Sequence, residues 1–165
     1  LLAILAVVDP GDEVIYLDPY FVMYKHLLTM AGGKGVPVDS YPDFRFNAAR
    51  VEAAITPRTK MLILNSPSNP TGVVMSEQEI KDAVALAKKH GLLILSDEIY
   101  EPFLYDSSER RVAGDGKPLV AHRSSLYSAL ALYENTLVVR GFSKSHAMTG
   151  WRVGYAYGQD RKSVV

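Results

Sequence analysis

The 165-residue sequence contains no cysteine, which excludes disulfides and thiolate metal sites. Neither sign of charge is in excess: 18 Lys and Arg balance 18 Asp and Glu. No net field therefore draws the chain to nucleic acid or to an acidic membrane surface. No apolar run approaches the roughly 20 residues that span a bilayer. The opening LLAILAVVDPGDEV lacks both an initiator methionine and the charged segment that precedes the apolar core of a signal peptide. The histidines at 26, 90, 122 and 146 show no metal-ligand spacing. These absences predict a cytoplasmic protein with no membrane, metal or nucleic-acid partner. The chain opens with a helix under way and closes at QDRKSVV, where another might begin, so it reads as an interior piece of a longer protein.

What is present suits one globular domain: 48% hydrophobic and 22% charged residues. Six short runs read as strands: Glu13–Asp18, Lys34–Asp39, Lys60–Asn65, Leu92–Glu98, Thr136–Phe142 and Val153–Gly158. Several are continuously apolar, the pattern of strands covered on both faces. Between the third and fourth, Glu77 to His90 predicts a helix. Ser76 and Glu79 form a capping box, Ile80, Val84 and Ala87 share one face, and Gly91 stops it. This order predicts an α/β fold of three layers, α/β/α, around a mostly parallel mixed sheet. The polar stretch from Asp106 to Leu119 predicts a surface excursion.

In open α/β sheets, ligands bind beyond the carboxyl ends of the strands, and three polar groups fall there. LILNSPSNPTG leaves a strand through two prolines and presents Asn69. LILSDEIY ends a strand with Asp97, followed by Tyr100. VVRGFSK ends another with Ser143 and Lys144, and Arg152 follows eight residues after the lysine. Taken singly, each has an ordinary reading. Asn69 suits a turn, Asp97 a helix cap, Tyr100 amphipathic packing, and Arg152 stacking on Trp151.

Their joint order is more specific. NPTG, then DEIY, then SKSHAMTGWRVGY, with DPGDEVIYLDPYF near the start, resembles the fold-type I, pyridoxal-phosphate-dependent aminotransferases of class I/II. The resemblance spans residues 1–165, which it implies to be part of the large, cofactor-binding domain. It implies that Lys144 holds pyridoxal 5'-phosphate covalently as a Schiff base and then moves a proton at the substrate α-carbon. A neutral amine is needed for that, and a desolvated pocket would favour one. Asp97 matches the carboxylate that pairs with the ring nitrogen and keeps the ring an electron sink. Asn69 and Tyr100 match the groups bonded to the ring oxygen, and Arg152 the clamp on the phosphate dianion. Phe21 matches the aromatic residue stacked on the ring, with Tyr20 as a nearby competitor. Lys144, Asp97 and Tyr100 are thus the implied catalytic set. Phe21, Asn69 and Ser143 join them and Arg152 as implied cofactor ligands.

Two positions depart from the family pattern. Gly141 stands where many relatives have a serine on the phosphate, which leaves Ser143 as the available hydroxyl. His146 stands where an aromatic residue is usual, and reads as a spacer. The resemblance places the family's glycine-containing phosphate loop before Leu1 and its substrate-carboxylate arginine beyond Val165. It also implies a homodimer with a shared site, so this stretch alone is expected to be inactive. The implied reaction moves an amino group from an L-amino acid to a 2-oxo acid. Two alternatives share the fold: a carbon–sulfur β-lyase, and a non-catalytic regulatory domain that binds the cofactor. MTGWRVGY and Tyr100 resemble the transaminase branch more than the lyases.

Overall fold

The computed structural model describes residues 1–104 and 126–159. The predicted excursion at 106–119 and the end of the chain from 160 lie outside the described residues. Six strands form one sheet: β1 (Glu13–Asp18), β2 (Lys34–Asp39), β3 (Thr59–Asn65), β4 (Leu93–Asp97), β5 (Thr136–Gly141) and β6 (Gly154–Gly158). Their order is β2-β1-β3-β4-β5-β6, with every pairing parallel except the antiparallel β5–β6 pair. The expected mostly parallel mixed sheet is therefore observed. β1 and β2 match their expected bounds; β3, β5 and β6 differ by one residue at one end, and β4 is one residue shorter at each end. Phe142, expected to finish β5, instead opens a helical turn.

Helices α1 (Leu2–Leu5) and α2 (Met23–Met30) lie on one face, and α3 (Ala48–Ala53) and α4 (Glu77–His90) on the other. Alternation along the strands divides the core between them. Val14, Tyr16, Met61, Ile63 and Leu95 pack with Ile4, Tyr24 and Leu28. Ile15, Leu62, Leu64 and Ile94 pack with Val51, Ile80, Val84 and Ala87. The central strands feed both clusters, which is why they read as unbroken apolar runs. Three layers result, as expected.

The capping box starts α4 as the sequence implies. Glu79 N donates to Ser76 Oγ at 3.3 Å, and Ser76 N donates to Glu79 Oε2 at 2.7 Å. The same Glu79 carboxylate accepts Phe46 N at 3.0 Å, so one side chain caps α4 and fixes the turn before α3. Gly91 ends α4 in the left-handed region, at φ 66°. Asn47 caps α3 by accepting Arg50 N at 3.1 Å. Beyond β5 come α5 (Phe142–Ser145), a 3-10 turn at Thr149–Trp151, and β6, whose residues are exposed. Among the described residues no helix is long and apolar enough to cross a membrane.

Candidate active site

A cavity of about 320 Å³ opens at the carboxyl ends of β3, β4 and β5. Strand register builds its floor. Asn65 pairs with Asp97 across β3–β4, and Asp97 pairs with Val139 across β4–β5. These three neighbours in a row all line the cavity, on the face covered by α1 and α2. Phe21, just before α2, forms one wall. Asn69, Ile99, Tyr100, Ser143, Lys144, Thr149 and Arg152 complete the lining. All seven residues singled out from the sequence thus meet in one place, although they span positions 21 to 152. A volume of this size lies at the low end of small-molecule sites. A second cavity, of about 30 Å³ between Tyr20, Phe44 and Asn65, has room for little more than water.

Asp97 is bonded inside this frame. Tyr24 Oη donates to its Oδ2 at 2.7 Å, and Ile99 N donates to Oδ1 at 3.3 Å. Burial pushes its carboxyl above the ordinary 3.8, while the bond from Tyr24 pulls the other way. The bond to Ile99 N is a turn contact two residues on; the 3-10 helix that follows, Glu101–Phe103, has Tyr100 at its N-cap and no side-chain cap bond, so Asp97 does not cap it. Asn69 is fixed by its own backbone: Asn69 N donates to Asn65 Oδ1 at 2.8 Å, which turns the Asn69 amide toward Tyr100 Oη at 3.5 Å. The Lys144 ammonium lies 5.7 Å from the centre of the Tyr100 ring.

Lys144 projects from α5, the single helical turn opened by β5. The desolvated amine expected for it is not found, because Lys144 is exposed at the open side of the cavity. A four-residue turn at the end of an edge-proximal strand has too few neighbours among the described residues to cover it. Arg152 is exposed as well. It occupies the left-handed region at φ 55° and donates from Nη1 to Thr149 O at 2.9 Å. That backbone state is costly for a side-chain-bearing residue and is retained where something requires it.

Gly141 has a local explanation. It pairs with Gly154 across β5–β6. A Cβ there would lie 3.2 Å from Ile99 Cδ1 and Val153 O, and 3.3 Å from Gly154 Cα. The sheet leaves no easy room for a serine. Ser143, two residues further on, lines the cavity instead. His146 packs edge-on against Phe142 at 5.3 Å and bonds Ser145 Oγ at 2.7 Å, outside the cavity lining. Asn65, Thr149 and Tyr24 were not among the residues singled out from the sequence. The signal for Asn65 was available, since it ends a strand as Asp97 does. Tyr24 gave none, because its bond crosses 73 positions in sequence.

An α/β sheet that gathers polar and charged side chains in one cavity at the carboxyl ends of its parallel strands is the layout of a ligand-binding α/β protein. The comparisons with known proteins narrow this. The aminotransferase class I and II family matches residues 1–165, and the chain belongs to that family. It is 44% identical over 155 residues to an aspartate/prephenate aminotransferase of Thermus thermophilus, covering 93% of this chain and 36% of the relative. An aspartate aminotransferase of Geobacillus stearothermophilus is 41% identical over 152 residues, covering 91% and 36%. Among solved structures, a mutant Thermus thermophilus aspartate aminotransferase superposes with TM-score 0.80 at 42% identity, covering 93% of this chain and 39% of that one. The aromatic aminotransferase of Pyrococcus horikoshii gives TM-score 0.77 at 34% identity, covering 96% and 39%. The chain spans little more than a third of the length of the curated relatives it matches.

Proposed function

We propose that residues 1–165 are part of the large domain of an aminotransferase that uses pyridoxal 5'-phosphate. The reaction would pass an amino group from an L-amino acid to a 2-oxo acid in the cytoplasm. The observation that carries this reading is the convergence of Lys144, Asp97 and Arg152 on one cavity beyond three parallel strands. Its chemistry suits the cofactor, with a part-buried carboxylate at the floor for a ring nitrogen and an exposed guanidinium for a phosphate dianion. When bound, the cofactor supplies an electron sink for charge developing at the substrate α-carbon.

The residues would divide the remaining work. Asp97 holds positive charge at the ring nitrogen. Asn69 and Tyr100, already directed at each other, offer donors to the ring oxygen. Phe21 covers one face of the ring, and Ser143 and Arg152 bind phosphate oxygens. Lys144 would hold the cofactor through its Nζ, and its amine would carry a proton to and from the substrate α-carbon. The exposure of Lys144, Phe21 and Arg152 leaves an open side that a second subunit could cover, and we take the protein to be a homodimer. Covering that side would also exclude water from the amine.

The test uses the full-length protein with pyridoxal phosphate. A visible absorbance band is expected in the wild type and lost in Lys144→Ala. Single amino acids plus a 2-oxo acid are then assayed for amino transfer against ammonia release. No band in the wild type refutes the cofactor. Ammonia without transfer supports a lyase, and a band without turnover supports a regulatory domain.

A further inference from the structure

We infer that Tyr24 is a positioning residue of this site: its buried hydroxyl donates to Asp97 and keeps that carboxylate oriented and anionic toward a bound cofactor's ring nitrogen. This rests on the cofactor reading above. The ring of Tyr24 is locked by packing, 6.0 Å from the Tyr16 ring and 5.6 Å, edge-on, from Phe21. Tyr24 is 5% exposed, in the first turn of α2, and its hydroxyl reaches Asp97 Oδ2 at 2.7 Å. Phe21 therefore stands between two tasks. It forms a wall of the cavity on one side and braces the ring that holds Asp97 on the other.

The chemistry of the pair runs one way. A phenol this buried keeps its proton: burial, then the nearby Asp97 charge, push Tyr24 well above the ordinary 10. The hydroxyl is thus a permanent donor at neutral pH. Donation to one carboxylate oxygen favours the ionised form and fixes the plane of the group. It opposes the burial that pushes the Asp97 carboxyl upward. The second oxygen is tied by Ile99 N, a longer and weaker bond at 3.3 Å. The other charged or titratable groups near Asp97 are Glu98, its neighbour in sequence, and Tyr100, Lys144 and Arg152 around the cavity. Within the described residues only Tyr24 donates a side-chain hydrogen bond to the Asp97 carboxylate.

Tyr24→Phe removes the donor and keeps the packing. In full-length apo-protein carrying 13C-labelled aspartate, the Asp97 carboxyl signal is assigned by its loss in Asp97→Asn. Its titration midpoint is expected to rise by about one to two pH units in Tyr24→Phe, the size of one hydrogen bond to a charge. This readout needs no cofactor, so it stands whether or not pyridoxal phosphate binds. With cofactor, Tyr24→Phe is expected to weaken pyridoxal phosphate binding about tenfold at neutral pH and to move the acid limb of binding upward by the same amount. In an Asp97→Asn background the same change should add nothing. A midpoint that moves by less than about 0.3 unit overturns the inference, as does an equal loss of affinity in both backgrounds. Absence of binding by the wild type would instead refute the cofactor reading, with the titration still deciding the role of Tyr24.

Discussion

Arg140→Met should cost the protein about 3 kcal/mol, and the structure shows why. Glu98, one residue beyond β4, has a side chain with 0% exposure, while that of Arg140 in β5 is 27% exposed. Arg140 donates to Glu98 Oε2 from Nε at 3.0 Å and Nη2 at 2.6 Å. Ser96 and Ser128 donate to Oε1 at 3.0 and 2.7 Å. Removing the guanidinium leaves a buried carboxylate with two hydroxyls and no countercharge. Losing one partner of such a pair costs about 3–5 kcal/mol, and the partial exposure of Arg140, which admits water, favours the lower figure. The assay is chemical denaturation of wild type, Arg140→Met, Glu98→Leu and the double variant. The double variant should recover at least about 1.5 kcal/mol relative to the sum of the singles, because no charge is then stranded. If Arg140→Met lies within about 0.5 kcal/mol of wild type, the pair is not load-sharing and the reasoning fails.

Three further outcomes follow from the same physics. Hydrogen bonds from Thr56, Arg58 and Lys34 hold the Glu13 carboxyl down from 4.5 to about 2. Its folded value is depressed, so its stabilisation is present above pH 4.5 and lost as the pH falls toward 2; Glu13→Gln should flatten acid unfolding in that window. Ser76→Ala removes one half of the capping box and should cost about 1 kcal/mol by thermal or chemical unfolding. Gly141→Ser should destabilise by about 1–3 kcal/mol through crowding against Ile99 and Gly154, and should not tighten phosphate binding.

The sheet was legible because its information is local. Alternation, β-branched runs and the Ser76–Glu79 box each lie within a few residues, and the strands fell within one residue of their expected bounds. The short helices α2 and α3, of 8 and 6 residues, carry too few turns for a clear period. The candidate site was legible for a different reason: Asn69, Asp97 and Lys144 each follow a strand's carboxyl end, and parallel strands bring those ends together. What stayed hidden depends on contacts between distant positions. Tyr24 reads as one more aromatic residue until its hydroxyl is seen on Asp97. The exposure of Lys144 is likewise a property of its neighbours rather than of GFSKSHAM.

The strand that carries Asp97 joins the site to the pair between buried Glu98 and half-buried Arg140. Successive residues of an extended chain face opposite ways. Asp97 therefore enters the cavity on the α1/α2 side, while Ser96 and Glu98 turn to the α3/α4 side. Arg140 is in the same position on β5: Val139 lines the cavity, Arg140 meets Glu98 beneath it, and Lys144 follows four residues on. The pair thus ties β4 to β5 directly under the two residues whose spacing the chemistry depends on. A carboxylate and a lysine serve a common ligand only if their strands keep register, and main-chain pairing alone ends at Asp97–Val139. The Glu98–Arg140 ion pair extends that registration one step past the last ladder position. Its loss should therefore reach cofactor binding as well as stability. A conservative Arg140→Lys change, which keeps charge but not the two-pronged geometry, should lower pyridoxal phosphate affinity more than its effect on unfolding would suggest. Equal proportional effects on both would show that the pair acts on stability alone.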